Sequence, residues 1–197
     1  MVKTLPVSWQ AVDTEHFLTR REDLKDFFAG KKRYLMESFY RQMRKKHDIL
    51  MDGDKPAGGR WNFDIENRRR YDGRFPIPKP KLFRNDVSKL HKMIDKAGVK
   101  TFGHIKPKSL IWPINRSQSL ALLKAFLKDG LKEFGTYQDS MTTASWSLFH
   151  ARISFALNTK MLHPLEVINA GIQTWAKQKR SIKIQQIEGF VRQILGW

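Results

Sequence analysis

The sequence contains no cysteine. This absence excludes disulfide bonds, cysteine-ligated zinc and any iron–sulfur cluster held by thiolates of this chain, and it fits a reducing compartment. No apolar run approaches the roughly 20 residues that a membrane-spanning helix needs, so we expect no membrane partner. The N-terminal run MVKTLPVSWQAVD lacks the charged-then-apolar pattern of a secretion signal. Together these absences make the cytoplasm the expected location.

Familiar catalytic motifs are absent as well. The sequence has no G-x-S-x-G, no P-loop and no H-E-x-x-H. Its six histidines show no spacing typical of metal ligands. No internal repeat and no low-complexity tract occur. We therefore predict no catalytic residue and no metal ligand in this chain.

Positive charge is what the sequence has in excess. Its 197 residues include 37 lysines and arginines against 19 aspartates and glutamates, a net charge of +18. Such a surplus favours a polyanionic partner, most simply nucleic acid or a phosphate-bearing cofactor. The alternative is a basic surface without a specific partner. With 41% hydrophobic residues, the chain can hold one large domain, or one domain and part of another.

Hydrophobic periodicity predicts a mainly α-helical chain. The predicted helices cover residues 21–29, 31–51, 85–97, 117–134, 144–158, 164–178 and 184–197. Gly135 is expected to end the fourth of these as its C′ residue. Residues 3–12 form at most one short strand, and a single strand makes no sheet. Four cations are expected to crowd the polar side of the second helix: Arg41, Arg44, Lys45 and Lys46.

Residues 52–84 lack this periodicity and are punctuated by glycine and proline. A loop of about thirty residues is uncommon inside a compact domain and is usually a linker or functional. Because Trp61, Phe63 and Tyr71 lie within it, we expect the segment to be pinned across another surface.

Residues 134–158, FGTYQDSMTTASWSLFHARISFALN, carry the densest group of candidate binding residues. If residues 144–158 form one helix, His150 and Ser154 share a face beside the small Ala151. Hydroxyl, imidazole and guanidinium donors around a small residue suit a phosphate or pyrophosphate, and Tyr137 adds a phenolic donor upstream. The alternative is a half-buried helix whose polar face is satisfied within the protein. Spacing alone does not choose between the two.

Five runs of the sequence occur in a specific order: FYRQMRKKHDILM, KPAGGRWNFDIENRRR, FGTYQDSM, SLFHARISFALNTKMLHPLEVI and GFVRQILGW. Together they resemble the photolyase/cryptochrome family, in particular its branch of prokaryotic iron–sulfur (6-4) photolyases. The resemblance implies an α/β antenna domain, an inter-domain linker and a helical domain that binds FAD. It also implies an activity in which light-excited reduced flavin donates an electron to a pyrimidine lesion flipped out of duplex DNA.

The resemblance further implies which residues hold the cofactor. The family's FAD-phosphate pattern F-H-S-R-L-S-P-A-L-N corresponds to residues 149–158. The cofactor-binding residues that follow from it and from the neighbouring runs are Tyr137, His150, Ala151, Arg152, Ile153, Ser154, Gln193 and Trp197. The sequence departs from the pattern at Ala151, Ile153 and Phe155, where the family has Ser, Leu and Pro. Losing the serine removes one phosphate hydrogen bond, worth about 1–3 kcal/mol if its acceptor stays unpaired.

By the same resemblance, residues 1–51 are the end of the antenna domain with a connecting helix, residues 52–84 the linker, and residues 85–197 the first part of the FAD-binding domain. The antenna-chromophore site, the lesion-contacting histidine and the four cluster cysteines have no counterpart here. We therefore expect a monomeric fragment, inactive alone, of a light-driven DNA photolyase (a carbon–carbon lyase) or related cryptochrome that acts on DNA with UV photoproducts. The alternative is a basic helical nucleic-acid-binding or regulatory module without a flavin.

Overall fold

A computed structural model describes residues 7–196. The predicted mainly helical fold is confirmed. In chain order the helices are α1 (Arg21–Phe28), α2 (Met36–Lys46), α3 (Ser88–Lys96), α4 (Arg116–Asp129), α5 (Leu131–Tyr137), α6 (Ser154–Asn158), α7 (Pro164–Lys177) and α8 (Ile184–Leu195). One antiparallel hairpin, β1 (Met51–Asp52) and β2 (Lys55–Pro56), follows α2. The predicted strand at 3–12 lies partly outside the described residues, and residues 7–12 form no strand.

Helix α8 lies at the centre of the helical body. Ile187, Phe190 and Val191 are buried on it, and so are the charged residues Glu188 and Arg192. The helix packs against α2, α5 and α7 and against the short 3₁₀ turn Asp64–Asn67. This turn lies in residues 52–84, the segment predicted as a linker (hereafter the linker). Each fully buried aliphatic or phenylalanine side chain contributes about 1.5–3 kcal/mol to folding. Because α8 is covered on nearly every side, it fixes where the surrounding elements lie.

The predicted helix 117–134 is in fact two helices, and the expected stop at Gly135 is wrong. The break comes at Gly130, and Gly135 lies inside α5. A β-carbon on Gly135 would stand 2.5 Å from the carbonyl oxygen of Gln185 and 2.9 Å from the α-carbon of Gln186. Glycine is therefore needed at this position because α5 and α8 approach each other closely, and not because a helix ends there.

The predicted helix 144–158 is wrong over most of its length. Only Ser154–Asn158 is helical, and Leu148 (φ 41°) and Arg152 (φ 55°) adopt left-handed conformations. The Ser145 hydroxyl accepts hydrogen bonds from the amides of Ser147 and Leu148, both at 3.2 Å. Such local side-chain bonds offer the backbone an alternative to helix. His150 and Ser154 therefore do not share a helix face.

Helix α2 is shorter than the predicted 31–51, and one of its four cations is not on the polar side. The side chain of Arg44 is completely buried. Its Nε donates to the carbonyl of Ile49 at 3.0 Å, its Nη1 to that of Trp61 at 2.9 Å, and its Nη2 to that of Leu50. The left-handed residue Leu50 helps turn the chain back over the helix end, and this turn supplies two of the three carbonyl acceptors, those of Ile49 and Leu50.

The long irregular segment crosses the helical body, as its aromatic residues predicted. The amide of Phe63 donates to Glu188 Oε2 at 3.1 Å, and the amide of Arg69 donates to the carbonyl of Thr136 at 3.2 Å. The amide of Tyr71 donates to the Ser140 hydroxyl at 2.8 Å. Backbone bonds to α5 and α8 at several points hold this segment in place. The proposed boundaries of the three regions remain a prediction.

Candidate functional site

A cleft of about 380 Å³ lies between the segment 150–154, helix α5 and the second half of α8. Six of the eight predicted site residues line it: His150, Ala151, Arg152, Ile153, Ser154 and Gln193. They come from two parts of the chain about forty positions apart. The irregular backbone at 150–153 and the first residue of α6 bring five of them to one side of the cleft, and α8 brings Gln193 to the other.

His150 stands at the wall of this cleft. Its backbone amide donates to the carbonyl of Ser147 at 2.9 Å, which fixes the turn that presents the ring. The imidazole meets the ring of Phe134 edge-on, with 6.0 Å between centroids. Although one edge of the imidazole remains open to solvent, the surrounding protein lowers its pKa below the ordinary value of 6.5 by desolvation. The ring is therefore mainly neutral at pH 7 and can donate from one nitrogen while accepting at the other.

Arg152 brings the positive charge of the cleft. Its Nη2 donates to the backbone carbonyl of Lys81 at 2.9 Å, which ties the cleft segment to the linker. Its guanidinium carbon lies 5.1 Å from the ring centroid of Trp146. Partial burial lowers the pKa of Arg152, yet an arginine stays charged at any physiological pH. The remaining guanidinium N–H groups are available to an anion in the cleft.

Acceptors line the cleft as well as donors. The side-chain oxygen of Gln138 is buried against Gly189 of α8 and has no hydrogen-bond partner among the described residues. Gln138 and Asp139 both line the cleft. The sequence analysis missed these two residues, although they directly follow the predicted Tyr137. The buried Gln138 oxygen is closed off from a ligand, and the exposed carboxylate of Asp139 is the acceptor that the cleft presents.

Tyr137 does not line the cleft. Its hydroxyl donates to Asp72 Oδ1 at 3.2 Å, and its ring stacks on Phe149 with 5.4 Å between centroids. Desolvation, followed by the hydrogen bond to Asp72, raises the pKa of the phenol. Tyr137 thus contacts the linker at Asp72 and packs on Phe149, the residue before His150. The predicted site residue Trp197 lies outside the described residues.

A buried polar network behind the cleft holds α8 in position. Glu188 accepts from the Tyr40 hydroxyl at 3.0 Å and from the amide of Phe63. Arg192 lies one turn further along α8, 3.4 Å from Glu188, and donates to Asp64 Oδ1 at 2.9 Å. Burial raises the pKa of Glu188, whereas the neighbouring arginine and the two hydrogen bonds oppose this shift. The network joins α2, the linker and α8, and so fixes the face on which Gln193 meets the cleft.

Residues 7–196 contain neither a metal-binding cluster nor a membrane-spanning helix. No group of three or more histidine, aspartate or glutamate side chains is arranged there to hold a metal ion. None of the helices in that part of the chain is both long and apolar enough to cross a bilayer.

Similarity to known proteins supports the resemblance found in the sequence. Residues 1–110 match the family described as deoxyribodipyrimidine photo-lyase-related protein. The chain is 34% identical over 183 residues to a (6-4) photolyase of Agrobacterium fabrum, an alignment that covers 92% of this chain and 35% of that protein. It is 44% identical over 57 residues to an uncharacterized protein of Acanthamoeba polyphaga mimivirus, covering 27% and 29% of the two chains.

The chain spans about a third of the length of the curated relatives that it matches. The matched family nevertheless accounts for more than half of its 197 residues. The chain therefore belongs to the deoxyribodipyrimidine photo-lyase-related protein family.

Proposed function

We propose that this chain supplies one wall of an FAD site in a light-driven DNA photolyase or related cryptochrome. The observation that carries the proposal is the cleft, because it gathers six residues that the resemblance alone had assigned to the cofactor. Segment 150–154 and Gln193 are about forty positions apart in the sequence, and both face the same open cleft. The similarity to a (6-4) photolyase extends over 92% of the chain and supports this assignment.

The residues present fit the phosphate part of FAD. A cleft of about 380 Å³ is too small for the whole dinucleotide but has room for a pyrophosphate and the adjoining ribityl chain. Arg152, His150 and Ser154 offer donors to phosphate oxygens. Ala151 lies where the family pattern has serine, so this wall has one donor fewer than the pattern.

When bound and reduced, the flavin supplies the light-driven electron for lesion repair. This chain's own residues bind and orient the cofactor. Arg152 neutralises phosphate charge, and Ile153 and Phe190 bury apolar surface at the cleft edge and exclude water. The mainly neutral His150 donates a hydrogen bond without adding a full charge. Its affinity for phosphate rises as the pH falls through its lowered pKa, because the imidazolium has two donors.

The proposed partner is DNA that contains UV photoproducts. A net charge of +18 matches a polyanion, and neutralising DNA phosphates makes such binding strongly salt-dependent. Repair also needs the parts of a photolyase that correspond to the other two thirds of the relative, so we propose that this chain by itself repairs no DNA. We assign it neither the antenna chromophore nor the iron–sulfur cluster.

Flavin titration of the purified chain tests the proposal. We expect binding of FAD, seen as quenching of flavin fluorescence, and a weakening by about 10- to 150-fold in Arg152→Ala, since a charge-assisted hydrogen bond contributes about 1.5–3 kcal/mol. The matched control is Arg180→Ala, an exposed arginine outside the cleft, which should leave FAD affinity unchanged.

The competing function is a basic nucleic-acid-binding or regulatory module without a flavin, and the net charge of +18 favours it. Its signature is an absence of FAD binding by the wild-type chain together with DNA binding that falls steeply with salt. That pair of results would reject the flavin proposal. Equal losses of FAD affinity in Arg152→Ala and Arg180→Ala would instead show that FAD is held by general charge and not in the cleft.

A further inference from the structure

Trp146 lies on the protein surface beside the cleft, with a relative exposure of 62% for the residue. A single exposed tryptophan is not unusual. Trp146 differs because the guanidinium of Arg152, a residue of the cleft wall, lies over its ring at 5.1 Å. Several aromatic rings in residues 7–196 carry a cation over one face, and among them Trp146 alone is exposed to solvent. We propose that Trp146 and Arg152 form a stacking platform that binds a nucleobase at the edge of the cleft.

The exposure of Trp146 is imposed by the chain around it. Ser147, Leu148 and Phe149 follow directly and are all buried. On the other side, the Ser145 hydroxyl accepts from the amides of Ser147 and Leu148 and closes a tight turn. With the turn and the three following residues anchored, the indole is left on the outside. It is a rigid, flat surface on a fixed loop, which loses little entropy when a planar ligand stacks on it.

Arg152 is equally well placed for this role. Its bond to the Lys81 carbonyl holds the guanidinium in position, with the guanidinium carbon 5.1 Å from the centroid of the indole ring. Indole rings and guanidinium planes are the groups on which proteins stack unpaired bases. Because Arg152 also lines the cleft, one residue contacts the phosphate site on one side and the platform on the other. The ligand chemistry that matches both is a nucleotide, with its base on Trp146 and its phosphate towards the cleft.

Two sources can supply such a base. One is the adenine of a dinucleotide cofactor, and this source rests on the proposed flavin function. The other is an unpaired base of a DNA strand, which requires only a basic surface. The two sources differ in what remains when the base is removed: FMN lacks the adenine of FAD, and an abasic oligonucleotide keeps the phosphates of its parent. The oligonucleotide pair separates base stacking from phosphate attraction, and the FAD–FMN pair tests the adenosine monophosphate half of FAD.

The experiment measures four ligands on the full chain and on three variants. The ligands are FAD, FMN, a ten-nucleotide oligothymidylate and an abasic oligonucleotide of equal length. Binding of each ligand is measured by fluorescence quenching or anisotropy. The variants are Trp146→Ala, Trp146→Phe and the matched control Trp9→Ala. Trp9 is 48% exposed and has no cation stacked on its ring among the described residues. Far-ultraviolet circular dichroism verifies that each variant folds like the wild type.

We expect Trp146→Ala to lower the affinity for one base-containing ligand by about 5- to 100-fold, in line with the cost of losing one base–aromatic stack. The matching base-free ligand should change by less than twofold, Trp146→Phe should retain most of the affinity, and Trp9→Ala should behave as wild type. A loss confined to FAD identifies adenine, and a loss confined to oligothymidylate identifies a DNA base.

The platform is refuted if Trp146→Ala and Trp9→Ala match on both base-containing ligands, or if the wild type binds neither. If the wild type binds oligothymidylate but not FAD, the flavin function is rejected. The effect of Trp146→Ala on oligothymidylate and on the abasic oligonucleotide then still tests whether Trp146 stacks on a base. Equal losses for a ligand and its base-free counterpart also overturn the proposal, since they show that Trp146 does not recognise the base.

Discussion

Replacing Gly135 by alanine measures how closely α5 approaches α8. The added β-carbon would lie 2.5 Å from the Gln185 carbonyl oxygen and 2.9 Å from the Gln186 α-carbon, and both are backbone atoms that cannot rotate away. Overpacking of a core costs about 1–3 kcal/mol, and contacts with backbone place this site at the upper end, near 3. Alanine regains about 1 kcal/mol of helix propensity. The net loss of unfolding free energy is therefore about 2 kcal/mol.

Urea unfolding followed by circular dichroism at 222 nm tests this value. With a slope of about 2 kcal/mol per molar urea, the midpoint should fall by about 1 M. The control is Gly171→Ala in α7, where the β-carbon meets only the side chains of Ile187 and Phe190 at 3.1–3.2 Å. Because these side chains can shift, we expect a change within about 1 kcal/mol. Equal midpoints for Gly135→Ala and the wild type would show that the two helices are not held as closely as described.

Other predictions follow from individual contacts. Glu188→Ala should lower stability by about 3–5 kcal/mol because it breaks a buried charged network, whereas Tyr40→Phe should cost only about 1–2 kcal/mol, both read from urea midpoints. Asn115→Ala removes the side-chain cap of α4 and should cost about 1 kcal/mol in thermal unfolding. The hydrogen bond from Arg116 holds the pKa of Glu166 below its ordinary 4.5, so this pair stabilises the fold above pH 4.5 and less as the pH falls through the lowered pKa. Glu166→Gln should abolish this pH dependence while costing under about 1 kcal/mol at neutral pH.

The candidate site was found in the sequence only through a resemblance. Spacing alone placed His150 and Ser154 on one helix face, and this geometry is wrong because Ser145 closes a turn and Arg152 is left-handed. The residues still meet in one cleft, since the motif encodes a loop and not a helix. Gln138 was missed because an unpaired buried oxygen leaves no mark on a sequence pattern.

Glycine and arginine positions show the same limit. Gly30 and Gly98 directly follow the caps of α1 and α3, close to the predicted helix ends at 29 and 97, and both have the positive φ that suits glycine. Gly135 also follows a predicted helix, but it lies inside α5, where glycine is needed because the backbone of Gln185 comes close. This contact joins residues fifty positions apart, so local sequence does not reveal it. Arg44 belongs to a run of cations, yet its burial depends on carbonyls presented by the following turn and the linker.

The sequence by itself determined the helical class, the start of α7 at Pro164, the crossing linker and the excess positive charge. These properties depend on composition, on local periodicity and on residues with restricted backbone angles. Only the tertiary structure decided that segment 150–154 is an irregular wall, that Gln193 faces it, and that Trp146 is left exposed under Arg152. The physical reason is that these features depend on contacts between residues distant in sequence, and such contacts exist only once α5, α8 and the linker have packed together.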